Sequence, residues 1–423
     1  TDVATFNDLG IAQMSYNLYL GDIVGASSDP AQPTIEFGYC GNVYQFNTAA
    51  LRQYDSFVKY CTDNNYQLTL TLLNNKTAAS GDLIHPLARD SHKCPGYALN
   101  TREESGVQHI KAIAAFLAQR YSGAAGFGVV DNWVIGNEVN ARTEWYYMSN
   151  SNIDVNVNDY TKAFRLFYNG IKSVNGNARI YNSIDQEWGR KSNPGCFLSK
   201  TFLDRFNYYI RLEGNIDWGL SFHPYNAPLY DPYAWQQQAR YVSNNLSTPY
   251  ITMENIDLLT NYMSQPSFLA PNGQVRSISI SEIGYTSSYG EDLQAASIVY
   301  AYLMAESNPH IDAFLLFRET DDASEMASNI AQGLKNLDGS HKLSYSCYKA
   351  LGTGDAQSAK DIASGIIGQD VQALVNNPGC DGRQLGRIVC DETAIKYANL
   401  EDEQSQSILT WSVIDLSTVD ALV

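Results

Sequence analysis

The sequence predicts an α/β protein built as a (β/α)8 TIM-type barrel. Seven short apolar runs recur across residues 11–319, and amphipathic stretches of helical period separate them. Nearly every run ends in polar or ionisable residues, as at the edge where parallel sheets and barrels carry their chemistry.

The runs are IAQMSYNLYL (11–20), YQLTLTLLNN (66–75), NWVIGNE (132–138), ARIYNSID (178–185), DWGLSFHPY (217–225), RSISISEIG (276–284) and IDAFLLFRE (311–319). Several are β-branched and nearly continuous, the pattern of parallel strands buried on both faces. TIEFGYCGNVYQF (34–46) reads as a β-hairpin inserted after the first run. In GVQHIKAIAAFLAQRYSG, Val107, Ile110, Ala114, Leu117 and Tyr121 share one helical face, and Gly123 is the stop signal. DYTKAFRLFYNGIKSVNG repeats the design with Phe164, Phe167, Ile171 and Val174, and Asp159 is its expected N-cap. EDLQAASIVYAYLMAES supplies a third helix after the 276–284 run. Residues 1–334 are thus expected to form the barrel. Residues 335–423, where the alternation stops, are expected to pack on it, with ILTWSVIDL (408–416) as a late strand.

Composition narrows the function. Apolar residues make up 44% of the 423 and charged residues 17%, with 29 Tyr and 15 Phe, enough for one large aromatic-rich core. No apolar run reaches the roughly 18 residues that span a bilayer, so no membrane partner is expected. The net charge of −17 argues against nucleic acid, which needs clustered Lys and Arg, and suits a neutral or cationic substrate. The seven cysteines show no paired CxxC motif, and His85, His92, His109, His310 and His341 lack ligand spacing, so no metal site is expected. Cys380 and Cys390 flank a Gly-rich turn and form either a local disulfide or two thiols. DVNVND (154–159) has Asp159 where a calcium loop requires Gly, and reads as helix capping. The chain opens at TDVATFNDLG without a leader, as after a trimmed segment; few Lys and many Asn, Ser and Tyr point to a secreted protein.

The chemistry sits at the ends of the runs. In order they carry Asn74 and Asn75; Asn137 and Glu138; Asp185, Gln186 and Trp188; His223 and Tyr225; Glu282 and Tyr285; and Arg318, Glu319, Asp321 and Asp322. Two carboxyl groups facing across a pocket are what glycosidic cleavage requires: one protonates the leaving oxygen, the other attacks C1 or activates water. Glu138, at a buried strand end beside Trp133, is suited to a raised pKa and the acid role, and Asn137 to the sugar 2-hydroxyl.

Asn-Glu closing one run (Asn137, Glu138), His-x-Tyr closing a later one (His223, Tyr225) and Ser-Glu-Ile-Gly closing the next (Glu282) resemble the cellulase-type, clan A-like superfamily of retaining (β/α)8 glycoside hydrolases. The resemblance implies that Glu138 is the acid/base at the end of strand 4 and Glu282 the nucleophile at the end of strand 7. It also implies that Asn137 contacts the 2-hydroxyl and that Tyr225 hydrogen-bonds the nucleophile. Two runs separate the acids, the number this assignment needs. Counting back from strand 4 leaves no strand 1: it lies upstream of Thr1, or the 408–416 run supplies it, or the barrel is open there. Many members carry a Trp at the end of strand 8, where this chain has FRETDD.

The expected activity is retaining hydrolysis of β-glycosidic bonds in a polysaccharide or oligosaccharide, with carbohydrate as the partner and no cofactor, since both carboxyl groups come from the protein. The catalytic pair is Glu138 and Glu282; Asn137, His223, Tyr225, Asn74, Trp188, Arg318 and Glu319 are the expected substrate contacts. Plainer readings stand beside these. Asn74 suits a turn, Trp188 and Trp145 suit packing under a loop, His223 and Tyr225 suit the core, and Glu319 with its acidic neighbours suits a solvated loop. Glu254 is a rival nucleophile that reads better as a helix N-terminal carboxylate. A sugar-binding barrel without catalysis, an exo-acting β-glycosidase, and a lyase or isomerase on the same barrel remain alternatives. The aromatic loop NARTEWYYMSN (140–150) leans towards a cleft with several sugar subsites.

Overall fold

The computed structural model describes residues 3–376. In chain order the elements are α1 (Val3–Leu9), β1 (Gln13–Tyr19), α2 (Leu20–Ile23), β2 (Ile35–Tyr39), β3 (Asn42–Phe46), α3 (Thr48–Asp63), β4 (Gln67–Leu73), α4 (Glu104–Arg120), β5 (Asn132–Ile135) and α5 (Ile153–Val174). They continue with β6 (Arg179–Asp185), α6 (Ser199–Leu212), β7 (Gly219–His223), α7 (Asp257–Met263), β8 (Ile278–Ile283), α8 (Glu291–Glu306), β9 (Ile311–Leu316), α9 (Ala323–Met326), α10 (Leu343–Thr353), α11 (Ala356–Ile367) and α12 (Val371–Asn376).

Seven strands form one curled sheet in the order β1-β4-β5-β6-β7-β8-β9, and every neighbouring pair is parallel. Each of the seven apolar runs is one of these strands. Among the described residues the fold is a (β/α)8-type barrel short of one strand. β1 and β9 are the two edges, and between the described residues of these edges Gln13 Nε2 reaches across to Asp312 O at 3.2 Å. A cavity of about 390 Å³ lined by Ile11, Ala12, Phe314 and Tyr348 marks the seam. Among the described residues no strand closes it; the 408–416 run and the Cys380–Cys390 turn lie outside them. The other five cysteines are free thiols.

Burial follows the pattern the runs implied: β4 to β7 are buried almost end to end because helices cover their outer faces. The β2–β3 hairpin turns at Cys40-Gly41, both at positive φ, as a two-residue turn needs. α8 is buried on nearly all sides, because α10, α11 and α12 cover the face that would otherwise meet water.

Asp159 is not a helix N-cap. α5 begins six residues earlier, where the Asn152 side chain accepts from the backbone N–H groups of Asp154 and Val155. DVNVND is therefore helical, and Asp159 is a buried carboxylate bonded to His85 Nε2 (3.2 Å) and Arg102 Nε (2.7 Å), which pins the loop after β4 to α5. Val174, expected in the buried stripe, is 39% exposed, because the helix ends there. No helix among the described residues is long and apolar enough to cross a membrane.

Candidate active site

At the end of β5 the chain makes a sharp turn. Gly136 has φ +79, where a side chain is strained, and a Cβ there would come 2.7 Å from Val139 Cγ1. Glu138 follows at φ +39, a left-handed conformation uncommon outside Gly, Asn and Asp. Hydrogen bonds hold it there: Glu138 N donates to Ser183 Oγ (3.1 Å), Val139 N to Ser183 O (2.9 Å), and Ala141 N to Glu138 O (2.7 Å). The turn lifts the Glu138 carboxyl out of the sheet at its C-terminal edge.

The register of the sheet supplies its neighbours. Asp185, the last residue of β6, pairs directly with His223, the last residue of β7. His223 is almost fully buried, and its Nδ1 lies 2.8 Å from Glu138 Oε1 and 4.0 Å from Glu282 Oε2. Its Nε2 meets Ser281 Oγ at 3.1 Å, and that hydroxyl is linked in turn to Ser221 Oγ (2.5 Å). On the other side of Glu282, Tyr225 OH donates to Oε1 at 2.8 Å. The structure thus brings together Glu138, Glu282, His223 and Tyr225 from three strand ends. Glu282 is 32% exposed and Glu138 14%, so solvent reaches both side chains. Asn137 is largely buried beside them, and its side-chain amide has no hydrogen-bond partner among the described residues.

The electrostatics are those of crowded acids. Burial raises the Glu282 pKa; Glu138 and Glu325 raise it further, while His223 and the Tyr225 hydroxyl work against them. Burial and the neighbouring Glu138 push Asp185 up to about 7, although Ser199 Oγ (2.6 Å) and the Glu187 N–H (2.8 Å) stabilise its charge. Burial alone would lower the His223 pKa, but Glu282, the hydrogen-bonded Glu138 and Asp185 outweigh it, and the net direction is up. An imidazole that favours its cation among three carboxyl groups is the expected compromise.

The other expected contacts have partners within the protein. Trp188 is fully buried and stands edge-on to Tyr262 with ring centroids 5.1 Å apart, so it has no free face for a sugar. The loop after β6 turns inward to cover the core there. Asn74 is also buried, and its Nδ2 donates to the carbonyls of Leu83, Tyr97 and Ala98, holding the long loop after β4. Glu319 lies 3.2 Å from Lys335 Nζ, in the strap that returns past β9. Arg318 is one-third exposed, with Nη1 3.2 Å from Glu325 Oε1 and 3.6 Å from Asp322 Oδ2. Glu254 belongs to a 3-10 turn ahead of α7, accepts from Gln237 N (2.6 Å), and is pushed up to about 7 by burial.

Sequence reasoning had noted Asp185 at its strand end without placing it among the substrate contacts, and had not singled out Ser281 or Glu325. Ser281 could have been found from its place next to Glu282. Glu325 stands seven residues beyond the arginine it meets, and only the α9 turn brings it back.

The overall fold is similar to solved structures of glycoside hydrolases. A family 39 glycoside hydrolase from the gut symbiont Bacteroides cellulosilyticus matches over 83% of this chain and 59% of its own, at 18% identity and TM-score 0.54. A glucosidase from Croceicoccus marinus matches over 84% and 63%, at 13% identity and TM-score 0.52. A GH5_18 protein from Bifidobacterium longum subsp. longum, solved in complex with Manb1-4GlcNAc, matches over 84% and 73%, at 11% identity and TM-score 0.51. This chain spans less than two thirds of the length of the first two. The likeness is one of fold, and it agrees with the seven-stranded parallel sheet. No curated protein matches the chain. The family of unknown function DUF5722 matches residues 1–374.

Proposed function

We infer that this chain, which belongs to the family of unknown function DUF5722, is a glycoside hydrolase that cleaves β-glycosidic bonds of a poly- or oligosaccharide with retention at the anomeric carbon. One observation carries the reading: Glu138 and Glu282 both approach His223 Nδ1, at 2.8 and 4.0 Å, from the ends of different strands. Two oxygens so placed can be no farther apart than the sum of those distances. That limit falls near the bottom of the inverting range of roughly 6.5–9.5 Å and leaves room for the retaining separation of roughly 5–5.5 Å.

The chemistry follows from the hydrogen bonds. Tyr225 occupies Glu282 Oε1, which leaves Oε2 free to attack C1. As that C–O bond forms, Glu138 gives its proton to the glycosidic oxygen and the aglycone leaves as an alcohol. In the second half, Glu138 takes a proton from water, the water oxygen bonds to C1, and Glu282 departs as carboxylate. His223, hydrogen-bonded to Glu138, stabilises whichever carboxyl carries charge at each stage. The free Asn137 amide is suited to the 2-hydroxyl, a bond that strengthens as positive charge develops on the ring. The low-lysine, Asn-, Ser- and Tyr-rich composition supports an exported enzyme.

The test is Glu282→Ala assayed on aryl β-glycosides chosen by screening the wild type against glucosides, galactosides, mannosides and xylosides. The variant should keep its circular dichroism spectrum and lose turnover, and added azide should restore part of it with formation of the α-glycosyl azide. Full activity in the variant overturns the assignment.

A further inference from the structure

The end of β6 carries a carboxyl group that the double displacement leaves unused. Asp185 pairs in register with His223, so the two side chains leave neighbouring strands on the same face of the sheet, the face on which His223 meets Glu138 and Glu282. Its backbone is clamped: Asp185 N donates to Asn140 Oδ1 (3.1 Å), and Asp185 O accepts from Ser199 Oγ (2.9 Å). Two residues back on that face, Ser183 Oγ holds the backbone N–H of Glu138 at 3.1 Å. Asp185 therefore stands beside the acid, fixed to the turn that presents it.

The two oxygens of the Asp185 carboxyl are not equivalent. Oδ1 accepts from Ser199 Oγ (2.6 Å) and from Glu187 N (2.8 Å). Oδ2 has no hydrogen-bond partner among the described residues, and unlike the unpaired Oδ1 atoms of Asn74 and Asn132 it is not sealed from solvent. The residue as a whole is only 6% exposed. A largely buried carboxylate with one oxygen left without a donor is costly, and a native structure that keeps one calls for a reason. Its place in the sheet supplies the reason. β6 is the neighbour of β5, which presents the acid, and stands two strands, about 10 Å, from β8, which presents the nucleophile. The glycosidic oxygen must lie at Glu138, with the attacked ring on the Glu282 side of it. A group beside Glu138 and away from Glu282 faces the ring that leaves.

We propose that Asp185 Oδ2 accepts a hydrogen bond from a donor, hydroxyl or ammonium, on the ring that leaves when Glu138 protonates the glycosidic oxygen, so that Asp185 selects substrates with a sugar in the leaving position. The proposal rests on the glycosidase reading and adds to it the residue that reads the leaving ring. A hydroxyl gives a carboxylate oxygen a charge-assisted hydrogen bond, and an ammonium adds its own charge. Either supplies the donor that Oδ2 lacks in the free protein.

Asp185→Asn isolates the atom. Glu187 N donates at the Oδ1 position, so the amide must keep its carbonyl oxygen there and place its NH2 where Oδ2 was, turning an acceptor into a donor. The experiment compares kcat/KM of wild type and Asp185→Asn, with circular dichroism as the check on folding, on the aryl β-glycoside that the wild type cleaves best, whose leaving group is a phenol. The same pair is then compared on neutral β-linked oligosaccharides and on glucosamine oligosaccharides, whose leaving group is a sugar. The variant should lose roughly 10- to 100-fold more on an oligosaccharide than on the aryl glycoside, the worth of one hydrogen bond to a charged group. The larger loss on the neutral series marks the donor as a hydroxyl, and on the glucosamine series as an ammonium. Equal losses on aryl glycoside and oligosaccharide, or no loss on either, overturn the proposal and leave the glycosidase reading standing, because a group that acts only on the acid or the fold affects both alike. So does a wild type that cleaves aryl glycosides and no oligosaccharide. If the wild type cleaves none of these substrates and forms no ester at Glu282 with 2-deoxy-2-fluoro-glycosides, by mass spectrometry of the intact protein, the glycosidase reading falls and the proposal with it.

Discussion

His223 Nδ1 lies 2.8 Å from Glu138 Oε1, and the same ring is anchored on its far side by Ser281 Oγ at 3.1 Å. The acid that ends one strand is thereby oriented by an imidazole that ends another, and the imidazole by the residue preceding Glu282.

Replacing His223 by Ala should lower kcat/KM by about tenfold or more, because Glu138 loses a charge-assisted partner. Stability carries a sign as well. The His223 pKa is raised in the folded protein, so its contribution is fully present below the unfolded value near 6.5 and fades as pH rises through the higher folded value. The melting-temperature gap between wild type and variant should therefore be wider at pH 5.5 than at pH 9. A gap independent of pH would contradict the assignment.

Tyr225→Phe removes the 2.8 Å hydrogen bond that lowers the Glu282 pKa. Without it the carboxyl holds its proton to higher pH, so the acid limb of kcat/KM should move upward. The maximal rate should also fall roughly 10-fold or more, the cost of one hydrogen bond to a charged group. A pH–rate profile checks both, and an unmoved acid limb counts against Glu282 as the group that must be ionised.

Asp185 is an acid whose folded pKa, about 7, lies above its unfolded value near 3.9. Between those values the native state retains a proton that the unfolded chain has released, so stability falls as pH rises through that window. Asp185→Asn escapes the loss and should be more stable than wild type at pH 8 by up to about 4 kcal/mol, the ceiling that those two values set, with the difference vanishing near pH 4. Urea unfolding at the two pH values measures it.

Gly136→Ala should destabilise the protein by about 1–3 kcal/mol and cost activity out of proportion to its size. The added methyl meets Val139 Cγ1 at 2.7 Å in a backbone conformation of φ +79, and relief of that clash must shift Glu138, two residues on. Wild-type turnover in a fully folded variant would show that the turn does not position the acid.

Much of this was legible in the chain. The apolar runs read as strands because parallel strands covered on both faces must be apolar almost without break, and the Gly-Asn-Glu after β5 read as a site because a buried strand seldom ends in an acid without cause. Trp188 and Asn74 were less legible. A Trp at a strand end looks the same in sequence whether its loop turns towards the cleft or towards Tyr262, and an Asn beside a turn looks the same whether it faces a ligand or three carbonyls. Asp159 was misplaced for a related reason: a carboxylate inside a helix resembles a cap until His85 and Arg102, far away in sequence, arrive to neutralise it.

By itself the sequence determined the alternation of strands and helices, the two acids and the number of strands between them, because periodicity and residue type are local properties. Only the tertiary structure decided that the barrel is open between β1 and β9 among the described residues, that His223 links the acids, and that Glu325 comes back to Arg318. Those facts depend on sheet register and loop closure, which bring together groups separated by a turn or by tens of residues and leave no mark on the chain between them.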